Sequence, residues 1–308
     1  MQRIAAHLGS LPDNVRGALW ILLSAVIFTA TNSLIKYVGT AMDSFQMVFF
    51  RGLFGTLFLL PIVWHAGGWR VLQSNRMNFH LARGLTGSLA LMTIFYALTH
   101  MPLADVTGIS FSRSLWVIVL AVLFLDERIR WRRWTATVIG FVGVLVMVRP
   151  GPGANPAAVA AVLNALFVAM SVVLIKRMTV TEKPLTILFW GTVIPTFVTL
   201  PPALVVWQVP TNTDLILMAS IGAGLSIGHA CLIQGLRVGD ATAVMPFDYS
   251  RLIFAGIAGF FLFMEIPDPF TVLGALMIVG STFYIARREA KEAKQARTAP
   301  TAGITGIQ

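Results

Sequence analysis

The chain has one cysteine, Cys231, in 308 residues. A single thiol excludes a disulfide framework and any metal site built from cysteines. Charge is also scarce, with Asp, Glu, Lys and Arg making up 12% of the chain. An average soluble domain carries about twice that share, and so little charge cannot cover a water-soluble surface of this size. An ordinary soluble enzyme, a disordered chain and a fibrous repeat are excluded on that ground. Acidic residues are the scarcer sign, 13 against 23 Lys and Arg. They form no aspartate-rich magnesium cluster, and the adjacent pair Asp126-Glu127 stands beside Arg128 and Arg130. His65, His80, His100 and His229 fall on separate segments, and no GxxxxGK phosphate loop is present. These absences argue against an enzyme, a resident metal or cofactor, and ATP-driven work within this chain. Residues 1–16 hold no apolar core of leader length, so a cleaved signal is not expected.

What the chain does have is apolar length. Hydrophobic residues make up 56%, and the mean hydropathy is +0.78. A membrane helix needs about 20 such residues to cross about 30 Å of hydrocarbon. Ten candidate segments meet or approach that length: 17–36, 43–63, 79–99, 105–125, 134–149, 156–175, 185–207, 214–235, 241–263 and 270–286. Barrel strands would be about ten residues long and would alternate apolar with polar. Trp116–Leu125 and Phe254–Phe263 do not alternate. The expected fold is an all-α polytopic membrane protein with ten transmembrane helices.

Charge placement orients it. With both termini in the cytoplasm, seventeen Lys and Arg fall in inner flanks and loops, while only Lys36 and Arg149 lie outside. That asymmetry obeys the positive-inside rule. It also accounts for the net charge of +10 without nucleic acid as a partner, because basic loops sit beside anionic lipid. The basic stretch 287–308 is read as a frayed helix end followed by a disordered cytoplasmic tail.

The chain also repeats itself. Leu34-Ile35-Lys36 returns as Leu174-Ile175-Lys176, Asp105-Val106-Thr107 as Asp240-Ala241-Thr242, and Ser112-Arg113 as Ser250-Arg251. Leu125-Asp126-Glu127 returns as Phe263-Met264-Glu265, and Thr137-Val138-Ile139-Gly140 as Thr271-Val272-Leu273-Gly274. The ordered offsets stay between 134 and 140. Five segments per half is an odd number, so the second half (150–286) would run inverted with respect to the first (17–149). Inverted repeats that bind a ligand near the midplane are a recurring construction of secondary transporters.

The stretch from Pro102-Leu103-Ala104-Asp105 to Leu125-Asp126-Glu127-Arg128, followed by Gly140-Phe141-Val142-Gly143-Val144-Leu145 and Pro150-Gly151, resembles the drug/metabolite transporter superfamily. The similarity is to its bacterial EamA-type branch. It covers roughly 17–286 and recurs in weaker form at 239–280, with a shorter, acidic connection at Asp268-Pro269. The resemblance implies a carrier of a small metabolite in the bacterial inner membrane. Its central cavity would be lined mainly by segments one, three, four, six, eight and nine. Members of the family move amino acids, nucleosides, sulfonium compounds, flavins and toxic compounds. A monomer and a homodimer both fit. A channel or a non-transporting membrane partner is the alternative, but no ring of repeated filter residues is visible.

Buried charges are the sharpest candidates for a binding site. Arg113 and Arg51 lie about 12 Å deep from the outer side, and Asp248 and Arg251 lie about 12 and 16 Å deep from the inner side. A lone charge there costs at least about 2.5–3.5 kcal/mol. Asp248 and Arg251 are spaced to pair on one helical face, whereas Arg113 and Arg51 have no local partner. These four residues either bind substrate or clamp the two halves together. Asp248 is also the group that would exchange a proton in proton-coupled transport. Three arginines against one aspartate favour a ligand that carries negative charge, zwitterions included.

Neutral polar residues form a second set: Ser24, Thr31 and Asn32 on one face of segment one, with Asn164 and Ser171 at matching places in segment six. Ser110 and Ser114 make a stripe on segment four, and His229 lies on segment eight. Each has an ordinary alternative, a hydrogen bond from helix to helix or back to its own helix. Phe111 and Phe247 stand next to the buried charges, where stacking on a planar substrate competes with simple packing. Pro246 precedes the Asp248/Arg251 group and is read as a kink or hinge.

The topology is directly checkable. Reporter fusions after residues 73, 131, 181 and 295 should read cytoplasmic. Fusions after 40, 102, 153, 211 and 267 should read external, and an external C-terminus would remove the ten-span reading.

Overall fold

The computed structural model describes residues 12–39, 41–125, 131–151, 155–178, 181–238 and 244–298. Among these, the regular structure is entirely helical. The elements are α1 (Asp13–Val38), α2 (Ser44–His65), α3 (Met77–His100), α4 (Leu103–Ser110), α5 (Arg113–Leu125) and α6 (Trp131–Val148). They continue with α7 (Pro156–Met178), α8 (Pro184–Val205), α9 (Asn212–Val238), α10 (Ser250–Phe263) and α11 (Pro269–Thr298). Short 3₁₀ turns occupy Gly68–Leu72 and Met245–Tyr249.

Among the described residues, seven stretches are long and apolar enough to cross a membrane: Asp13–Val38, Ser44–His65, Met77–His100, Leu103–Leu120, Pro156–Ile175, Leu185–Val205 and Asn212–Leu232. Trp134–Val148 and Pro269–Ile285 are shorter apolar helices. α10 has 14 residues, and with the 3₁₀ turn ahead of it rises about 31 Å, enough for the hydrocarbon layer. α11 continues to Thr298, so the helical part of the 287–308 stretch takes in 287–298. Its run of Ala, Glu, Lys, Arg and Gln consists of good helix formers. Residues 299–308 lie outside the described residues.

Two segments expected to be continuous are not. Segment four is interrupted at Phe111-Ser112. There the backbone tightens to i→i−3 bonds, Phe111 N–H to Gly108 O at 3.2 Å and Ser112 N–H to Ile109 O at 2.9 Å, then Leu115 N–H to Ser112 O at 2.9 Å. Segment nine opens with the 3₁₀ turn Met245–Tyr249 before α10 begins at Ser250; residues 241–243 of that segment lie outside the described residues. The offset of 138 that links Arg113 to Arg251 also links Phe111-Ser112 to Tyr249-Ser250, so the two tightenings occupy matching places.

The helix ends follow local chemistry. Asp43 accepts from Phe45 N–H at 2.8 Å, Asn155 from Ala157 N–H at 2.9 Å and Asp268 from Phe270 N–H at 2.8 Å. Each satisfies one of the donors a helix start leaves open. Asp268, outside the spans, is held below the usual carboxylate range by that Phe270 N–H and by the guanidinium of Arg149. Pro102 stands at the cap of α4 and does not kink a helix, whereas Pro195 lies inside α8.

Packing between the halves is symmetric. α1 packs on α9 and α3 on α7; α3 meets α8 and α2 meets α9; α5 lies on α7 and α10 on α1. α2 with α8, and α6 with α11, pair directly. Exchanging the halves leaves this scheme unchanged. Small residues permit the close approaches. A Cβ at Gly143 would stand 2.7 Å from Gly274 O, and one at Gly228 would stand 3.0 Å from the Phe28 ring. At the end of the bundle holding the start of α3, Ser74 donates to Glu182 at 2.7 Å and Glu182 faces His80 at 3.7 Å.

Gly143→Leu should force α6 and α11 apart and lower stability by about 1–3 kcal/mol, read as a lower melting temperature in detergent. Gly280→Ala is the control: a Cβ there meets nothing within 4 Å, so the melting point should hold or rise slightly.

Candidate functional site

The two tightened turns bring the buried charges together. Asp248, on the last turn of the 3₁₀ segment, is buried, its side chain 4% exposed. Its Oδ1 accepts from Arg251 Nη2 at 2.5 Å, and its Oδ2 faces Arg113 Nη2 at 3.5 Å. One carboxylate therefore serves two guanidiniums, one from each half. The Arg251 side chain is 14% exposed and the Arg113 side chain 34%. Arg251 also lies over the rings of Phe28 and Phe111, at 4.8 and 5.9 Å. Phe111 and Tyr249, at matching positions in the halves, meet with ring centroids 5.0 Å apart.

His229, on α9, meets the same Phe28 ring that Arg251 covers. Its ring sits edge-on to Phe28 at 4.9 Å, and its Nδ1 is 2.7 Å from Leu225 O. Arg51 Nε is buried without a hydrogen-bond partner. Ser112 Oγ and Ser250 Oγ, each one residue before an arginine of the group, are likewise buried and unpartnered. The arrangement offers cationic donors, one acceptor already in use and aromatic faces. Such groups are chemically suited to a carboxylate and to a flat or cationic group.

The family model described as the EamA-like transporter family matches residues 15–149 and again 155–287. The chain belongs to the EamA-like transporter family. It is an integral, polytopic membrane protein that transports a small molecule and is not an enzyme. Among its relatives, the S-adenosylmethionine uptake transporter of Rickettsia prowazekii (strain Madrid E) is 35% identical over 283 residues, covering 92% of this chain and 96% of that protein. The riboflavin transporter of Rhizobium johnstonii is 30% identical, covering 90% of this chain and 93% of that one. The pseudopaline exporter CntI of Pseudomonas aeruginosa (strain UCBPP-PA14) is 28% identical, covering 89% and 96%. A solved crystal structure matches with a TM-score of 0.59 at 17% identity, covering 89% of this chain and 99% of that one. That likeness concerns the fold alone.

The neutral polar set of this transporter is placed differently from the charges. Ser24 donates to Gly228 O at 2.9 Å, tying α1 to α9, and Asn164 donates to Ala90 O at 2.7 Å, tying α7 to α3. Ser171 and Thr86 share a 3.0 Å bond. Thr31 bonds back to Ile27 O and Ser110 to Val106 O, at 2.8 and 2.7 Å. The structure thus gives these five residues helix-to-helix or intrahelical bonds. Asn32 and Ser114 are half-buried. Phe247 is 44% exposed, and the ring that meets Phe111 is its neighbour Tyr249. Pro246 lies in the 3₁₀ turn, where a missing N–H costs little. Tyr249, Phe28, Ser112 and Ser250 were not among the expected site residues. For Tyr249 and Ser250 the repeat offset was the usable signal; for Phe28 the sequence held none.

Asp248→Asn should leave Arg113 and Arg251 without an anion. Stranding a buried charge costs about 3–5 kcal/mol, less here because Arg113 is partly exposed. A clear fall in melting temperature is expected, with part of it recovered in Asp248→Asn/Arg251→Met.

Proposed function

We propose that this protein is a secondary transporter of the bacterial inner membrane working by alternating access. Ten crossings would be arranged as two inverted halves, 17–149 and 150–286, with residues 1–16 and 287–308 in the cytoplasm. The symmetric packing scheme supports this, because each half can then adopt the arrangement of the other. Substrate would bind between the halves at Arg113, Asp248 and Arg251, beside Phe111, Tyr249 and His229. Arg51, Ser24, Thr31, Asn32, Ser110, Ser114, Asn164, Ser171 and Phe247 would act as supporting residues.

The observation that carries the reading is the state of Arg113. Its one link to Asp248 is 3.5 Å long, and a third of its side chain is accessible. A guanidinium has five donors, so Arg113 has donors to spare for a substrate carboxylate. Asp248, held at 2.5 Å by Arg251, positions the pair and is the acid able to exchange a proton if transport is proton-coupled. The relatives that carry S-adenosylmethionine cover nearly all of this chain at 35% identity. S-adenosylmethionine has a carboxylate for Arg113, a planar base for the aromatic faces and a sulfonium suited to ring faces. It is the substrate we assign.

Proteoliposomes preloaded with unlabelled S-adenosylmethionine should accelerate entry of the labelled compound, the counterflow expected of a carrier. Arg113→Ala should keep expression and insertion while cutting exchange about 10- to 100-fold, the worth of a charge-assisted hydrogen bond. Arg113→Lys keeps the charge but not the planar fork and should lose much of the activity. Unchanged affinity in well-folded Arg113→Ala would overturn the carboxylate assignment.

A further inference from the structure

A second group of charges lies outside this site, at the end of the bundle away from both described chain ends. It joins three elements. Lys36, near the end of α1, places Nζ 2.5 Å from Glu265 Oε1. The same ammonium donates to Met101 O at 2.6 Å and lies 5.4 Å from the Phe263 ring. Glu265 Oε2 accepts from Leu103 N–H at 2.9 Å. The first helix donors of α4 need an acceptor, and Pro102 supplies no side-chain cap. The cap comes instead from a carboxylate of the other half, and its negative charge suits the helix start.

The carboxylate is aimed by its own backbone. Met264 adopts a left-handed conformation, φ 57°, and Glu265 N–H returns to Gly259 O at 3.0 Å. A Cβ at Gly259 would stand 3.1 Å from Glu265 Oε2, so the glycine leaves the room that side chain occupies. Lys36 and Glu265 are only 12% and 18% exposed, unlike the Arg149–Asp268 pair at the same end, at 49% and 44%. The knot therefore resembles a packed joint more than a surface ion pair. α4 runs from Leu103 to Ser110 and then into the tightened turn that carries Arg113. The element that Glu265 caps is the one that leads to the interior charges.

From these contacts we infer that Lys36 and Glu265 form a latch that closes the outer face of the protein over the interior charge group, and that the pair parts when that face opens. What the latch serves rests on the transport reading; whether it closes the face does not.

The test reads access rather than transport. A single cysteine at Ser110, about 10 Å inward from Leu103 along the helix, is introduced in a Cys231→Ala background. It is reacted in right-side-out vesicles with a membrane-impermeant maleimide. Lys36→Met and Glu265→Gln should each speed labelling about fivefold or more, because a pair this enclosed is worth at least the upper range for exposed pairs. The double variant should be no faster than the faster single, because both remove one interaction. Glu265→Gln keeps an acceptor for Leu103 N–H and decides the matter if Lys36→Met fails to fold. Labelling at the unmodified rate in Glu265→Gln, or effects that multiply in the double variant, would overturn the latch. If S-adenosylmethionine is not carried, the labelling result stands by itself.

Discussion

Everything near the middle of this bundle answers to one constraint: Asp248 is the carboxylate that two interior guanidiniums share. A charge withdrawn from water is tolerable only when it is paired and hydrogen-bonded. The pairing must reach across the halves, because Arg113 lies 135 residues from Asp248. Two turns tightened to i→i−3 bonding make that reach possible. A 3₁₀ turn rotates successive residues by about 120° where an α-helix rotates them by about 100°. A short stretch of it re-aims everything beyond. In the first half the residue re-aimed is Arg113; in the second, Asp248 and Arg251 are presented together. The Phe111–Tyr249 contact lies at the meeting of the two turns and fixes how closely they approach.

Apolar length and charge placement made most of the helices legible. The expected segments and the observed helices differ mainly by a few residues at the ends, where caps and fraying decide. The interruption at Phe111-Ser112 was not legible, because nothing in Ile-Ser-Phe-Ser-Arg marks a change of helix type; no glycine or proline stands there. Serine and threonine were ambiguous in a predictable way. A stripe of hydroxyls at helical spacing is the same pattern whether it faces a ligand or bonds its own backbone, and Thr31 and Ser110 do the latter. The pairing of Asp248 with Arg251 was readable from a spacing of three. The pairing with Arg113 depends on tertiary reach, which spacing does not carry.

The two charged groups divide the stabilising work. Asp248 links the halves in the interior, and Glu265 links them at one end by capping a helix that belongs to the other half. Both join the same stretch of chain, α4 through the start of α5, from opposite directions. That stretch is short and is buried against α10, α7 and α11. A displacement at Leu103 is therefore carried along two helical turns to Ser110 and the tightened backbone beyond it. Packed helices move as units because their interiors do not compress. A joint broken at one end is thus felt at the other without a separate signalling element.

The halves are alike in backbone and packing but not in charge. The position matching Asp248 is Ser110, so the central trio carries two positive charges and one negative. Had the first half also carried an acid there, the four groups would neutralise one another and a ligand carboxylate would gain little. Had neither carried one, two bare guanidiniums would face each other in a low-dielectric interior, where repulsion between them is weakly screened. The single aspartate sits between these extremes. It makes the empty site tolerable and leaves one unit of positive charge unanswered, on the side of Arg113. A carboxylate brought to Arg113 would complete the balance and lower the cost of keeping that arginine out of water. The packing between the halves is symmetric, and the one unmatched residue leaves the meeting of the two turns with an excess of positive charge.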